Sequence, residues 1–309
     1  MRNDVLYRGQ QDVSREGESS LDATFDPHTL ANDLYAVHDI YARLFATLDT
    51  TRWDEPVARG RKEWTLHETI AHLCALNGAG LASIQHTLRD EPYTFRGLDD
   101  RYRFNAYNRW GIDEHLGLPP DALCAEFLSI HHEASSIART LQPDQAELAA
   151  VMPIYNRPVR IVEALSIMIM HAGLIHAAQV AEPAGVPPLW THLSPAIRHR
   201  MIGRVLRAFS LLYRRDIGGS LRTTLVFRVD GPGGGDWHVR LSPETATSGE
   251  GAVGTPGLVV RLRETDDFCR MLTGRINLPV ALFSRRLRLH GDVRLFLRMS
   301  RLFSVDARP

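Results

Sequence analysis

Long apolar runs are missing from this 309-residue sequence. The longest, such as LSIMIM over 165–170, fall far short of the roughly 20 residues that cross a bilayer, so no membrane span is expected. Cysteine is scarce. Cys74, Cys124 and Cys269 are widely spaced and include no CxxC pair, which argues against a disulfide framework or a thiolate zinc site and suits a reducing compartment. Lysine is nearly absent: Lys62 is the only one among 36 basic residues, a bias of a GC-rich genome rather than a set of chosen guanidinium contacts. A charge imbalance is also lacking, since 36 basic residues face 36 acidic ones. That removes the electrostatic case for a nucleic-acid or anionic-membrane partner and leaves a small-molecule substrate. The opening stretch MRNDVLYRGQQDVSREGESS has no apolar core of a signal peptide, so a cytoplasmic location is expected.

What is present divides into two textures. Residues 1–27 are polar and read as an arm. Over 28–183, four long segments carry apolar residues at helical spacing, as in Leu30, Leu34, Val37, Ile40 and Leu44, and they predict an up-down four-helix bundle. Thr65 three residues before Glu68 marks a capping box at the start of the second helix. The Pro/Gly-rich PAGVPPLW (183–190) reads as a boundary. Beyond it, over 190–309, a helix leads into period-two segments (LRTTLVFRVDG, DWHVRLS, GLVVRLR, RRLRLHGD) and a closing helix, predicting a small α+β domain with an antiparallel sheet. GPGGGD (231–236) lies between two strands, so it reads as a hairpin turn and not as a phosphate loop.

Of 14 histidines, ten have no grouping that suggests chemistry, His131 and His132 among them. The other four are His67 and His72 on the second helix, and His171 and His176 on the fourth. Each pair is five residues apart, so in a regular α-helix its members diverge by about 140° around the axis. Only one of each can face a shared point, unless a π-bulge brings the second round. His72 lies on the stripe of Ile70, Leu73 and Leu76. His171 continues Ile167, Met170 and Leu174, with Glu163 two turns before it. Two readings stay open: core histidines satisfied by Glu68, Glu163 or a carbonyl, or ligands of one metal between facing helices.

The motifs resemble known families. EWTLHETIAHL resembles the W-x6-AHL signature of the DinB/YfiT-like metal-binding bundles. FNAYNRWGIDEHLGLPPDALCAEF is similar to the Asn-bearing segment of their mycothiol-dependent maleylpyruvate isomerase branch, and MHAGLIHAAQVAEPAGVP resembles the last-helix pattern of these bundles, in which a histidine precedes Ala-Gly. Residues 192–305 resemble sterol-carrier-protein-like domains, through GDWHVRLSPETATSGEG and the stretch from VVRLRETDDFCRMLTG to the GD before the final helix. The resemblance implies a first metal ligand at His72 and a second at His171 or His176. The usual third position falls on Ile167 or Ala172, neither of which can ligate. Glu163, His67, or both last-helix histidines on a distorted turn around Gly173 are the remaining donors, and Glu163 is also a candidate acceptor fixing an imidazole tautomer.

The expectation is therefore a divalent-metal enzyme, with zinc first and iron or nickel also compatible. It would use mycothiol or another low-molecular-weight thiol for isomerisation or thiol transfer by thiolate addition. Asn105 and Arg109 are the candidates to orient a substrate carboxylate at a mouth between the two halves. Two other readings compete. One is a binding protein that encloses an apolar ligand among residues such as Leu225, Phe227, Val260, Phe268, Leu272 and Phe283. The other is a thiol-independent tailoring enzyme of specialised metabolism.

Overall fold

The computed structural model describes residues 23–49, 53–54, 64–95, 104–155 and 157–304. The expected polar arm lies outside them up to residue 22. Helix α1 (Pro27–Phe45) starts where the Asp26 carboxylate accepts the Thr29 amide at 2.8 Å and Pro27 fills the first turn. α2 (Leu66–Leu88) starts at the expected capping box: Thr65 Oγ1 accepts the Glu68 amide, and Glu68 Oε2 accepts the Thr65 amide. There follow α3 (Phe104–His115), α4 (Pro120–Thr140), the short α5 (Pro143–Ala146) and an antiparallel hairpin of β1 (Ala149–Met152) and β2 (Arg157–Arg160). α6 (Ile161–Met170), a π-helical turn (His171–Ile175) and α7 (Ala177–Ala181) then form one composite rod. The rod packs with α1, α2 and α4 around a common core, and all ten residues of α6 are buried.

By its apolar spacing, RPVRIVEALSIMIM reads as helix from Arg157 onward. The structure makes 157–160 a strand, paired with β1 through Val151 opposite Pro158 and Ala150 opposite Val159. Pro158 explains the difference, since proline disfavours the helical conformation in the residue before it and removes a donor.

The Pro/Gly-rich boundary segment leads into a 3-10 turn (Leu189–His192) in which Trp190 is buried and donates its indole N–H to Asp266 Oδ1 at 2.9 Å. Beyond it come α8 (Pro195–Leu211), α9 (Arg215–Gly218), β3 (Thr223–Val229), β4 (Gly235–Leu241), β5 (Ala246–Glu250), β6 (Leu258–Leu262), α10 (Thr265–Leu272), α11 (Leu278–Phe283), β7 (Leu287–Gly291) and α12 (Val293–Leu302). The sheet order is β5-β4-β3-β6-β7. It is antiparallel except at the central β3–β6 pair, which is parallel because the chain crosses over after the β3–β4–β5 meander. GPGGGD is the β3–β4 turn, with Gly231 and Gly233 at φ of +80° and +82°, conformations that side chains with a Cβ rarely adopt. β5 and α11 were not anticipated.

The apolar residues expected to line a tunnel mostly pack on one another. Leu225, Phe227, Val260 and Phe268 are buried, and the two phenyl rings meet edge-on at 6.4 Å. Phe283 is the exception, 92% exposed and lining nothing.

α8 joins the sheet region to the helices by a row of arginines at helical spacing. Arg200 grips Asp33 of α1 with two contacts (Nη2–Oδ1 2.6 Å, Nε–Oδ2 2.9 Å), and Arg204 Nη1 lies 2.7 Å from Asp33 Oδ2. Arg204 also donates to the Thr24 carbonyl, and both it and Asp33 are wholly buried. One turn on, Arg207 Nε donates to Glu163 Oε1 of α6 at 2.7 Å. Removing one partner of a buried pair strands the other's charge. Asp33→Ala is therefore expected to cost about 3–5 kcal/mol in denaturant unfolding. Asp39→Ala, which breaks the exposed Asp39–Arg43 pair, should cost under about 0.5 kcal/mol.

Candidate metal centre

His72 sits mid-α2, and His171 and His176 bracket the π turn. In an α-helix His176 would point away from His171. Here the His176 N–H bonds the His171 carbonyl at 3.1 Å, an i→i+5 closure that stacks residues five apart on one side of the rod. Gly173 lets the turn lie close to its neighbours: a Cβ there would stand 3.0 Å from Met201 Cε and 3.1 Å from Val37 Cγ2. The three imidazoles consequently converge. Their rings are 4.6–4.9 Å apart by centroid, and their donor nitrogens lie within 4.8 Å of one another in a buried position.

Hydrogen bonds fix two tautomers. His171 Nδ1–H donates to Asn77 Oδ1 at 3.0 Å, and His176 Nδ1–H donates to Gln179 Oε1. Both therefore turn a bare Nε2 lone pair inward. His72 Nε2 and His171 Nε2 are 2.9 Å apart, so something positive must lie between them: a proton on His72, or a cation drawing on both lone pairs. Asn77 is held in turn, its Nδ2 donating to His131 Nε2 at 3.0 Å. Trp64 covers the cluster, 4.5 Å from His72 and 6.0 Å from His176 by ring centroid.

Burial keeps these rings neutral. It pushes His72 and His171 well below the ordinary histidine range, with the neighbouring imidazoles adding to the effect. It lowers His176 to about 4, against the raising effect of Gln179 and with a further lowering from the charge of Arg275. His131 falls to about 3 through burial and the proximity of His38. Neutral imidazole is the ligand form, so the donor set fits a divalent ion: three nitrogen ligands, two of them oriented by a second hydrogen bond.

The structure brings together His72, His171 and His176 and leaves the other candidates elsewhere. Glu163 lies outside the imidazole group and is paired with Arg160 and Arg207. Burial alone would raise its carboxyl, but the guanidinium groups of Arg207 and Arg160 outweigh that and hold it below the usual carboxylate range. Asn77, an amide, takes the accepting role instead. His67 faces Trp53, with Nε2 3.3 Å from the Leu118 carbonyl. Asn105 and Arg109 lie exposed on α3, outside the imidazole cluster, and Arg109 Nη1 donates to Glu68 Oε1 at 3.1 Å, one turn before His72. His131, read from sequence as ordinary, is buried and belongs to the network. Asn77 and Gln179 were missed, although a buried asparagine five residues after His72 and a glutamine one turn after His176 are the signals that could have found them.

A model of the mycothiol maleylpyruvate isomerase N-terminal domain matches residues 34–181, and one of the SCP-2 sterol transfer family matches 214–304. A crystal structure of the mycothiol-dependent maleylpyruvate isomerase superposes with a TM-score of 0.52 at 17% identity, covering 82% of this chain and 90% of that one. A histidine-to-alanine variant of that isomerase gives 0.53 at 16%, covering 86% and 92%. Hydroxysteroid dehydrogenase-like protein 2 from Homo sapiens is 24% identical over 112 residues, 36% of this chain and 27% of the human protein. Its Bos taurus counterpart is 25% identical over 114 residues, 37% of this chain and 27% of the bovine protein. The matched stretch spans about a quarter of the length of these curated relatives.

The buried rings set a pH dependence. Their folded pKa values lie below the unfolded value of about 6.5, so the unfolded chain binds more protons between those limits. With chelator present, stability should be flat above pH about 6.5 and fall steadily as pH drops toward about 3. His131→Gln removes one titrating group and should make that slope shallower in denaturant titrations. An unchanged slope would show that His131 does not titrate as its burial requires.

Residues 34–181 thus match the mycothiol maleylpyruvate isomerase N-terminal domain family and residues 214–304 the SCP-2 sterol transfer family, joined in one chain.

Proposed function

We propose that His72, His171 and His176 hold a divalent cation, and that the chain is a metal-dependent isomerase or thiol transferase acting on a small organic substrate by thiolate addition. The carrying observation is the convergence of three neutral ring nitrogens at one buried point. Zinc is the first choice, and iron and nickel also suit imidazole ligation. Bound there with an open position, such an ion supplies Lewis acidity, lowering the pKa of a thiol or polarising a substrate oxygen.

The chain's own residues would do the rest. Its cysteines are poorly suited to act as the nucleophile. Burial pushes Cys74 well above its ordinary range and Cys124 and Cys269 up to about 12, so all three stay protonated. The thiol is then an external one, mycothiol by the family's description or another low-molecular-weight thiol. Trp64 gives the cluster an apolar wall that limits water. The charge of Arg275, which is paired with Glu182, reaches His176 and disfavours its imidazolium form. Asn105 and Arg109 remain the candidates on α3 to orient a substrate carboxylate.

A second reading has a specific support, the SCP-2 sterol transfer match over 214–304: the chain would hold an apolar ligand and perform no chemistry. Metal analysis separates the two. Wild type purified without a histidine tag is expected to carry one ion per chain, and His72→Ala, His171→Ala and His176→Ala each to lose it. Asn77→Leu keeps the ligands but frees the His171 tautomer, and should weaken metal affinity about 10–100-fold. Full occupancy in every variant, or none in wild type, would sink the proposal. Turnover that persists without thiol would retain the metal and remove the thiolate step. Arg109→Ala should raise KM with metal content unchanged.

A further inference from the structure

α11 is built the wrong way round for a solvated helix. Asn277 caps it, its Oδ1 accepting the Val280 amide at 3.1 Å, and of the six residues that follow only Ala281 is buried. Leu278, Pro279, Val280, Leu282 and Phe283 are all exposed, with Phe283 at 92% and Val280 at 54%. Ordinary surfaces scatter such residues singly, whereas contiguous apolar exposure marks a contact surface.

The charges around it point to what makes that contact. The chain as a whole is neutral, but between Ile276 and Leu302 it carries six arginines and one acid, Asp292, while Glu264, Asp266 and Asp267 of the preceding segment act on Arg286. That acid is engaged, its carboxylate capping α12 through the Arg294 amide at 2.9 Å. Arg285 and Arg288 follow α11 directly and are exposed, while Arg286 is paired with Asp267.

We infer that α11 with Arg285 and Arg288 forms a docking surface for an anionic lipid bilayer, the apolar tip entering the headgroup boundary and the guanidinium groups meeting lipid phosphates. Short apolar elements flanked by arginine bind such interfaces through buried apolar area plus attraction to anionic lipid. A second copy of the chain fits less well, because an isologous two-fold contact on this tip would bring the same arginines together. The inference is independent of any metal at the histidines.

The test is co-sedimentation of the full chain with vesicles of phosphatidylcholine alone and of equal parts phosphatidylcholine and phosphatidylglycerol. Wild type should bind the anionic vesicles, bind the neutral ones much more weakly, and release at high salt. Phe283→Ser should weaken the anionic binding about tenfold. Arg285→Glu with Arg288→Glu should abolish the preference for anionic lipid. These side chains are exposed, so circular dichroism should match wild type in every variant. Absence of wild-type binding to the anionic vesicles would overturn the inference, as would binding that Phe283→Ser leaves intact. A concentration-dependent dimer that Phe283→Ser dissociates, without vesicle binding, would assign the face to a second copy and equally overturn it.

Discussion

Three imidazoles can share one buried point only while none of them carries a charge of its own, and that constraint shapes everything around them. A proton on any ring would place a cation in an apolar helix core, against two like neighbours. The surroundings are arranged to avoid this. The acceptors that orient His171 and His176 are the amide oxygens of Asn77 and Gln179, which take a hydrogen bond without contributing negative charge. A carboxylate in either place would favour the imidazolium and so raise the pKa of the ring it orients. Ligands that are all neutral, with neutral orienting groups, would leave a bound dication's charge uncompensated by the protein, and a site of that kind favours an anionic fourth ligand.

The acids that could have supplied negative charge are spent elsewhere. Glu163 lies on the same rod as the two histidines, but it faces Arg160 and Arg207. Asp33 is taken by Arg200 and Arg204. Each acid therefore meets two guanidinium groups, and α8 supplies three of the four. The clasp that joins the sheet region to the helices also keeps carboxylates out of the imidazole cluster, so one set of ion pairs serves both assembly and site electrostatics.

What the sequence disclosed was what is decided locally. The Thr65/Glu68 capping box, the glycine-rich hairpin turn and the helical stripes depend on neighbours within a turn or two, and the structure has them. The stripes also placed His72 and His171 on inward faces. Misreadings came where a distant partner decides. The polar ATSGE (246–250) becomes a strand because β4 lies alongside, whereas at 157–160 the local signal, Pro158, was there to be read. Glu163 read as available because its Arg207 partner lies 44 residues on, in another element. His131 read as ordinary because its Asn77 partner belongs to a different helix. The family resemblance carried the overall plan, but not the ligand set, since the usual third position holds Ile167 or Ala172.

The π turn carries a consequence of another kind. It differs from an α turn by a single residue of chain, closing i→i+5 instead of i→i+4. Removing one residue from it, Leu174 for instance, would let the rod run on as regular α-helix with the two histidines four residues apart, about 40° from one another around the axis. His176 would stay on the face of the cluster, because i, i+4 in an α turn and i, i+5 in a π turn are equivalent positions. The third donor is lost instead if the turn relaxes to α at its present length, which would carry His176 about 140° around the axis from His171 with every ligand residue intact, so the site depends on the turn's hydrogen-bond pattern and not on composition alone.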